Sequence, residues 1–276
     1  MSIKVTVCCV SYNHEKYLKS TLDGILNQET DFEFEVLVYD DCSTDGSRTI
    51  IDQYKDESIH RFKTVYSEEN NYSNGIRPLS FLIPLAEGDY IAFCEGDDYW
   101  IDPKKLQKQF DALEKNKDID ICFHRAHTLE NKVISDKGYG YYGDLERVIS
   151  IREVIKFSGG VMPMASIFIR ANKFKALFET ERDFFKRLLR HSAIQIINSD
   201  KNGALYLPDI MSVYRFMHPG SWSRIQESDK LAQKNSFIEF CLRNKALNRI
   251  TERRYWLDFK ILFLKRMIRY LISIVR

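Results

Sequence analysis

Apolar and polar positions along the first part of the chain fall into blocks that switch between two periods. Residues 3–10 (IKVTVCCV) form an unbroken apolar run rich in β-branched residues, as expected of a strand covered on both faces. After the polar SYNHEK, residues Tyr17, Leu18, Thr21, Leu22, Ile25 and Leu26 recur at helical spacing. The same exchange repeats: FEVLVYD (34–40) predicts a second strand, GSRTIIDQYKD (46–56) a helix, and RFKTVYS (61–67) a third strand. A helix over 76–88 should be kinked or ended by Pro84. DYIAFC (89–94) predicts the fourth strand, and 102–116 a helix with Asp102 as N-cap and Pro103 in its first turn. Strands alternating with helices at this spacing imply an α/β fold with a parallel, doubly wound sheet.

Beyond residue 118 the pattern loosens. Residues 119–129 alternate as a strand, GYGYYG (138–143) reads as a flexible aromatic loop, and 164–170 as another strand. Helices are expected over 172–179 and 182–199, then a short strand, ALYL (204–207), and the loop FMHPGSWSR. From Glu227 the chain reads as helical to its end. With no repeat or low-complexity linker, one globular unit over 1–225 and a helical segment over 226–276 are expected.

Composition changes this picture in three places. With 44% hydrophobic and 29% charged residues in 276, the chain is globular in type and has length for one sizeable domain. The net charge of +2 conceals a basic excess at the C-terminal end, which points to an anionic surface there. The six cysteines show no C-x-x-C spacing and mostly lie in strand-like runs, the pattern of buried thiols in a reducing cytoplasm. MSIKVTVCCV enters a strand with no basic n-region, so no secretory signal is expected.

In parallel sheets of this kind ligands sit beyond the carboxyl ends of the strands. Three polar clusters occupy those ends: Ser11-Tyr12-Asn13, Asp40 to Gly46, and Glu95-Gly96-Asp97-Asp98. Adjacent carboxylates at the end of a buried strand lose hydration and repel one another, so a cation or a set of donors should compensate them. Asp97 and Asp98 suit Mg²⁺ or Mn²⁺, hard cations that share one or two carboxylates with substrate phosphates. The plainer alternative is a solvated turn before the helix that Asp102 opens.

These three clusters carry a resemblance. VTVCCVSYNHEKYLKSTLDGILNQ, VLVYDDCSTDGSRTIIDQY and EGDYIAFCEGDDYWIDPKKLQKQ resemble successive signatures of the family 2 glycosyltransferases, with a weaker likeness in YLPDIMSVYRFMHPGSWS. The resemblance implies a GT-A fold and a nucleotide-diphosphate sugar donor, often a UDP-sugar. It implies that Asp40 hydrogen-bonds the nucleobase, that Val10, Ser11 and Tyr12 line base and ribose, and that Asp97 faces the ribose or metal. Asp98 is then the main ligand of Mn²⁺ or Mg²⁺, and Glu95 fills a variable first motif position. Arg77 stands where a basic residue meets donor phosphates, although a solvated arginine is the alternative, while Asp41 and Asp45 are expected to shape the turn and cap the next helix. His218 matches the histidine of a mobile metal-binding lid, and Tyr214 and Arg215 lead into that loop. The family's catalytic Asp is missing: its position falls near Arg190, His191 and Ser192. His191 is the substitute base and Asp183 its rival, with a structural histidine as the plain alternative.

Residues 254–276 are too interrupted by charge for a spanning helix. On a helical wheel Asp258, Lys265, Arg269, Ser273 and Arg276 form one stripe, with Arg266 beside it and Lys260 the exception. Trp256, Phe259, Phe263, Met267, Tyr270 and Ile274 belong to the broad apolar remainder. Lying in the interface of an anionic membrane is one expectation, and packing on the protein's own core or a second subunit the other. The function implied is an inverting transferase acting on a glycan or lipid-linked acceptor of a bacterial surface polysaccharide, on the cytoplasmic face of the membrane and without nucleic acid. The rivals are a catalytically inactive, membrane-associated scaffold of the same fold and a nucleotidyltransferase, whose glycine- and arginine-rich phosphate loop SYNHEKYL lacks.

Overall fold

The computed structural model describes residues 2–58, 60–158, 160–216 and 230–275. Its strands are β1 (Val5–Ser11), β2 (Phe34–Asp40), β3 (Arg61–Tyr66), β4 (Tyr90–Glu95), β5 (Tyr99–Trp100), β6 (Ile121–Glu130), β7 (Val133–Tyr139), β8 (Arg147–Ile149), β9 (Phe168–Arg170) and β10 (Ala204–Arg215). The helices are α1 (Glu15–Leu26), α2 (Ser47–Glu57), α3 (Leu79–Leu82), α4 (Lys105–Lys115), α5 (Ile151–Phe157), α6 (Ala171–Thr180), α7 (Arg182–Leu188), α8 (His191–Asn198), α9 (Lys230–Ile250) and α10 (Trp256–Val275). The described strands join one sheet in the order β3-β2-β1-β4-β9-β6-β10-β5, with β7 beside β6 and β8 beside β10.

The first half of the sheet is the parallel, doubly wound unit that the alternation predicts: β1 pairs in parallel with both β2 and β4, and β2 with β3. Side chains of β1 alternate between faces. Val5, Val7 and Cys9 join the core under α1, α2 and α4, and Cys8 joins the one beneath α3 and α5–α8. With both faces covered, the run must be apolar throughout.

The second half departs from that expectation. β9 runs antiparallel to both β4 and β6, so the sheet is mixed. Gly138 and Tyr139, read as loop, end β7, which folds back on β6. Residues 164–166 form a 3₁₀ turn rather than the start of a strand. ALYL continues as far as Arg215, passing Pro208 where the register to β6 shifts, the kind of place where a strand accepts a residue without an N–H. Pro84 sits in a 3₁₀ turn that follows α3 and closes it, as expected.

The turns after β1 and β2 lock into each other. Asn13 Oδ1 accepts from Thr44 N at 2.8 Å, while Ser43 Oγ and Ser47 Oγ accept from Asn13 N and His14 N, each at 2.9 Å. Asp45 offers one oxygen to Glu15 N (3.1 Å) and the other to Ser47 N (3.0 Å). It therefore closes the N-termini of both α1 and α2, whose own N-cap positions, His14 and Gly46, supply no side-chain bond.

At the C-terminal end α9 and α10 form an antiparallel hairpin, in which Phe237 stacks on Tyr270 at 4.3 Å and Asn244 donates to Phe259 O at 3.2 Å. Phe240, Leu247, Phe259 and Leu262 enter the same core as Phe185 and Ile194, so the hairpin packs on the body of the protein. The apolar remainder of α10 thereby divides in two. Phe259 and Leu262 face inward, while Leu257, Ile261, Leu264, Ile268, Leu271 and Ile272 face outward, exposed. Among the described residues no helix is long and apolar enough to cross a membrane.

Burial raises the Asp45 carboxyl, but its bonds to Ser47 and Glu15 outweigh that and hold it below its ordinary 3.8. Asp45→Ala should lose about 1–2 kcal/mol of stability at pH 7 in urea titrations. Because the folded value is lowered, wild type keeps this advantage above pH 3.8, and the gap should close as pH falls through that lowered value.

Candidate active site

The registers Ser11 to Asp40 and Val10 to Glu95 set the ends of β1, β2 and β4 side by side, so the three polar clusters converge as expected. Val10 is half-buried, Ser11 buried and Tyr12 exposed. Asp40 is fully buried and inward-turned: it accepts from Ser43 N (3.0 Å), Ser43 Oγ and Arg48 Nε (2.7 Å). Oδ2 has only the Ser43 hydroxyl as donor, so acceptor capacity remains, but none of the side chain reaches solvent. Asp41 does more than shape its turn, since its carboxylate receives Asn71 N at 2.8 Å and Tyr72 N at 2.9 Å and so anchors the following loop. Burial pushes its carboxyl above the ordinary range.

The acidic turn is held through its backbone. Thr21 Oγ1 donates its one proton to Asp98 O at 2.6 Å, with Gly96 O 3.0 Å away, and Asp98 N donates to Glu95 O at 3.0 Å. A Cβ at position 96 would stand 2.7 Å from His14 Nδ1, so a larger residue there would have to displace the imidazole. Asp98 is 1% exposed. Its Oδ1 accepts from Arg215 N at 2.9 Å, and its Oδ2 is buried with no hydrogen-bond partner among the described residues. Burial, then the charges of Asp97 and Glu95, push this carboxyl well above the ordinary range.

Arg215 is the clamp of this turn. Its guanidinium donates to Asp97 O at 2.5 Å and to Ser20 Oγ at 2.8 Å, and it stacks on Tyr99 (4.4 Å) and Tyr17 (5.0 Å). Tyr214 beside it is half-buried, and burial, then the Asp98 charge, hold its phenol above the usual range. His14 Nε2 stands 3.9 Å from Asp97 Oδ2.

His191 comes to the same place from α8, its Nε2 3.2 Å from Glu95 Oε1. The ring is exposed, with 48% of its side chain open to solvent. Burial pulls its pKa down, but the charge and hydrogen bond of Glu95 prevail and hold it above 6.5. Asp183 lies exposed in the first turn of α7 and makes no hydrogen bond or ion pair among the described residues. His218 lies outside the described residues.

Arg77 is neither solvated nor open to a ligand. It is 7% exposed, donates through Nε to Arg187 O (3.2 Å), stacks on Tyr72 and pairs with Glu239 Oε2 at 2.6 Å. Glu239, on α9, also receives Arg190 twice (2.6 and 2.8 Å) and Arg243 at 2.8 Å. Sequence reasoning missed this cluster because no local pattern links position 239 to 77 or 190. Arg190 is where the helix expected over 182–199 breaks: the residue is extended, with φ −132° and ψ 172°, between α7 and α8.

The family model described as Glycosyl transferase family 2 matches residues 6–179. An uncharacterized protein of Mycobacterium tuberculosis is 36% identical over 130 residues, covering 45% of this chain and 36% of that protein. TuaG of Bacillus subtilis, named as a teichuronic acid biosynthesis glycosyltransferase, is 39% identical over 111 residues, 40% of this chain and 41% of TuaG. The chain thus matches well under half the length of these relatives. Residues 1–349 of Staphylococcus aureus TarS, solved in complex with UDP-GlcNAc, superpose with a TM-score of 0.65 at 20% identity, covering 97% of this chain and 73% of that one. The fold is the GT-A glycosyltransferase fold.

Asp98→Asn keeps an acceptor for Arg215 N while removing the buried charge. In metal-free buffer at pH 7 it should melt higher than wild type by a few degrees, about 1 kcal/mol of stabilisation. Because the wild-type carboxyl is raised, the gain should vanish as pH falls and Asp98 takes up its proton.

Proposed function

The chain belongs to glycosyl transferase family 2, and on that premise we propose that it is an inverting glycosyltransferase. It moves a hexosyl or N-acetylhexosaminyl group from a nucleotide-diphosphate sugar, a UDP-sugar by analogy with TarS, to a glycan or lipid-linked acceptor of a surface polysaccharide. The observation that carries this reading is the buried, unpartnered Asp98 Oδ2 at the end of β4. A carboxylate oxygen kept dry and unpaired costs free energy that a bound cation would return.

Mn²⁺ or Mg²⁺ fits this oxygen donor, and Asp98 would hold it. Among the described residues no three His, Cys, Asp or Glu side chains are grouped to hold a metal; a cation held by Asp98 would need further oxygens from a bound diphosphate. When bound, the metal supplies Lewis acidity that offsets charge on the departing nucleoside diphosphate.

The protein's own residues do the rest. Asp97 faces the ribose, with its backbone carbonyl fixed by Arg215. Val10, Ser11 and Tyr12 line the base, and Asp40 sets the shape of that pocket through Ser43 and Arg48. His191 is the base of this reading in preference to Asp183, because it alone of the two touches the acidic turn. Glu95 fixes its Nε2, leaving Nδ1 to take the acceptor's hydroxyl proton as the hydroxyl attacks the anomeric carbon. One direct displacement with no enzyme nucleophile inverts that carbon. Residues 1–116 hold the donor, 117–225 face the acceptor, and the hairpin within 226–276 places the enzyme at its substrate.

The outward face of α10 supports a peripheral attachment to the cytoplasmic face of a membrane. Its exposed leucines and isoleucines are edged by Lys260, Lys265 and Arg269, the arrangement of a helix that lies in an anionic interface.

Calorimetric titration of UDP in the presence of Mn²⁺ should show binding that Asp98→Ala or chelation abolishes; a folded protein that binds neither UDP nor GDP would favour the inactive-scaffold reading. In a second test the protein should sediment with vesicles rich in phosphatidylglycerol and stay free of phosphatidylcholine vesicles. Leu264→Glu with Ile268→Glu should release it while UDP binding persists, and equal recovery in both vesicle types would remove the anionic-surface reading.

A further inference from the structure

Glu239 stands where α9, α8 and the loop after β3 meet. Arg190 lays Nε and one terminal nitrogen on its two oxygens at 2.6 and 2.8 Å, the fork geometry of a bidentate pair. The remaining terminal nitrogen of Arg190 donates to Tyr72 Oη at 3.1 Å, and Tyr72 N is held by Asp41. Arg77 and Arg243 complete the ring around the carboxylate. All four side chains are largely shielded, with exposures between 9 and 23%.

We propose that Glu239 is a positioning residue for the transfer reaction: by clamping Arg190 it fixes the start of α8 and so seats the His191 ring against Glu95. This deepens the reading of His191 as the base and rests on it. Arg190 is the N-cap residue of α8 and His191 its first residue, so the clamp lies one peptide from the ring it seats. The hairpin has other means of holding on. Arg249 of α9 forks onto Glu181, and Phe240 and Leu247 enter the core, so packing alone does not call for a carboxylate buried among three guanidiniums. Replacing a buried ion pair by apolar packing is often neutral or stabilising, and in some proteins such pairs are kept because they specify geometry.

The charged groups that face the imidazole are Glu95 and Asp97 from the turn after β4 and Arg190 from its own segment. Glu239 offsets the Arg190 charge. Without it, the guanidinium acts on His191 undiminished or swings toward Glu95, and either event disfavours the imidazolium.

The test is proton NMR titration of the His191 ring in the full chain, assigned with His191→Gln, in wild type, Glu239→Gln and Glu181→Gln. The last variant unties the same hairpin away from the site. The His191 midpoint should fall in Glu239→Gln and stay in Glu181→Gln, and the acid limb of kcat/KM for turnover of a UDP-sugar should move in the same direction. Should Glu239→Gln not fold, Glu239→Asp, which keeps the charge but spoils the fork, should still lower the midpoint relative to wild type and Glu181→Gln. An unmoved midpoint, or an equal move in both hairpin variants, overturns the clamp. Unchanged turnover in His191→Gln would instead overturn the base assignment, and the ring titration would still decide the clamp.

Discussion

A carboxylate that cannot reach water governs the arrangement of this protein's strand ends. Asp98 sits at the end of a strand covered on both faces, with Glu95 and Asp97 beside it, and burial of such a group is among the costliest things a fold does. The surrounding chain responds with fixed dipoles more than with full charges. Arg215 gives Asp98 its backbone N–H and spends its guanidinium on the Asp97 carbonyl, while Thr21 ties the Asp98 carbonyl. This leaves one oxygen uncommitted. The Arg215 guanidinium, which could have paired with Asp98, is turned to the Asp97 carbonyl instead.

The central strands were legible because covering both faces of a sheet demands unbroken apolar runs, and β1, β2 and β4 show them. Helices of the first half were legible for the same reason seen from outside: one face of each meets the sheet, so Leu18, Leu22 and Ile25 recur. Boundaries were less so. Asp102 does accept from Lys104 N at 2.8 Å, yet α4 begins only at Lys105, after a turn. β8 and β9 are too short to print a period, and they exist because long neighbours, β10 on one side and β4 and β6 on the other, offer them hydrogen-bonding edges.

The site divides in the same way. Positions at strand ends follow from the fold, so convergence of Ser11, Asp40 and Glu95 to Asp98 was readable from local pattern. Partners were not. Arg77 has the charge and the place to meet a phosphate, but a glutamate on a helix far along the chain holds it. The break before α8 has the same origin, because an arginine that must reach Glu239 sits in extended backbone where the local sequence favours helix. In both cases the deciding term is a contact between distant segments, which no window of neighbouring residues contains.

The double duty of Asp45 bears on how the chain folds as it is made. Helix α1 precedes the group that closes its first turn by 30 residues. As the polypeptide leaves the ribosome, α1 emerges with its leading N–H groups open, and only when the second turn is out can one side chain finish both helices. The first two strand–helix units therefore share one closing group, and neither helix has its cap before both turns have been synthesised.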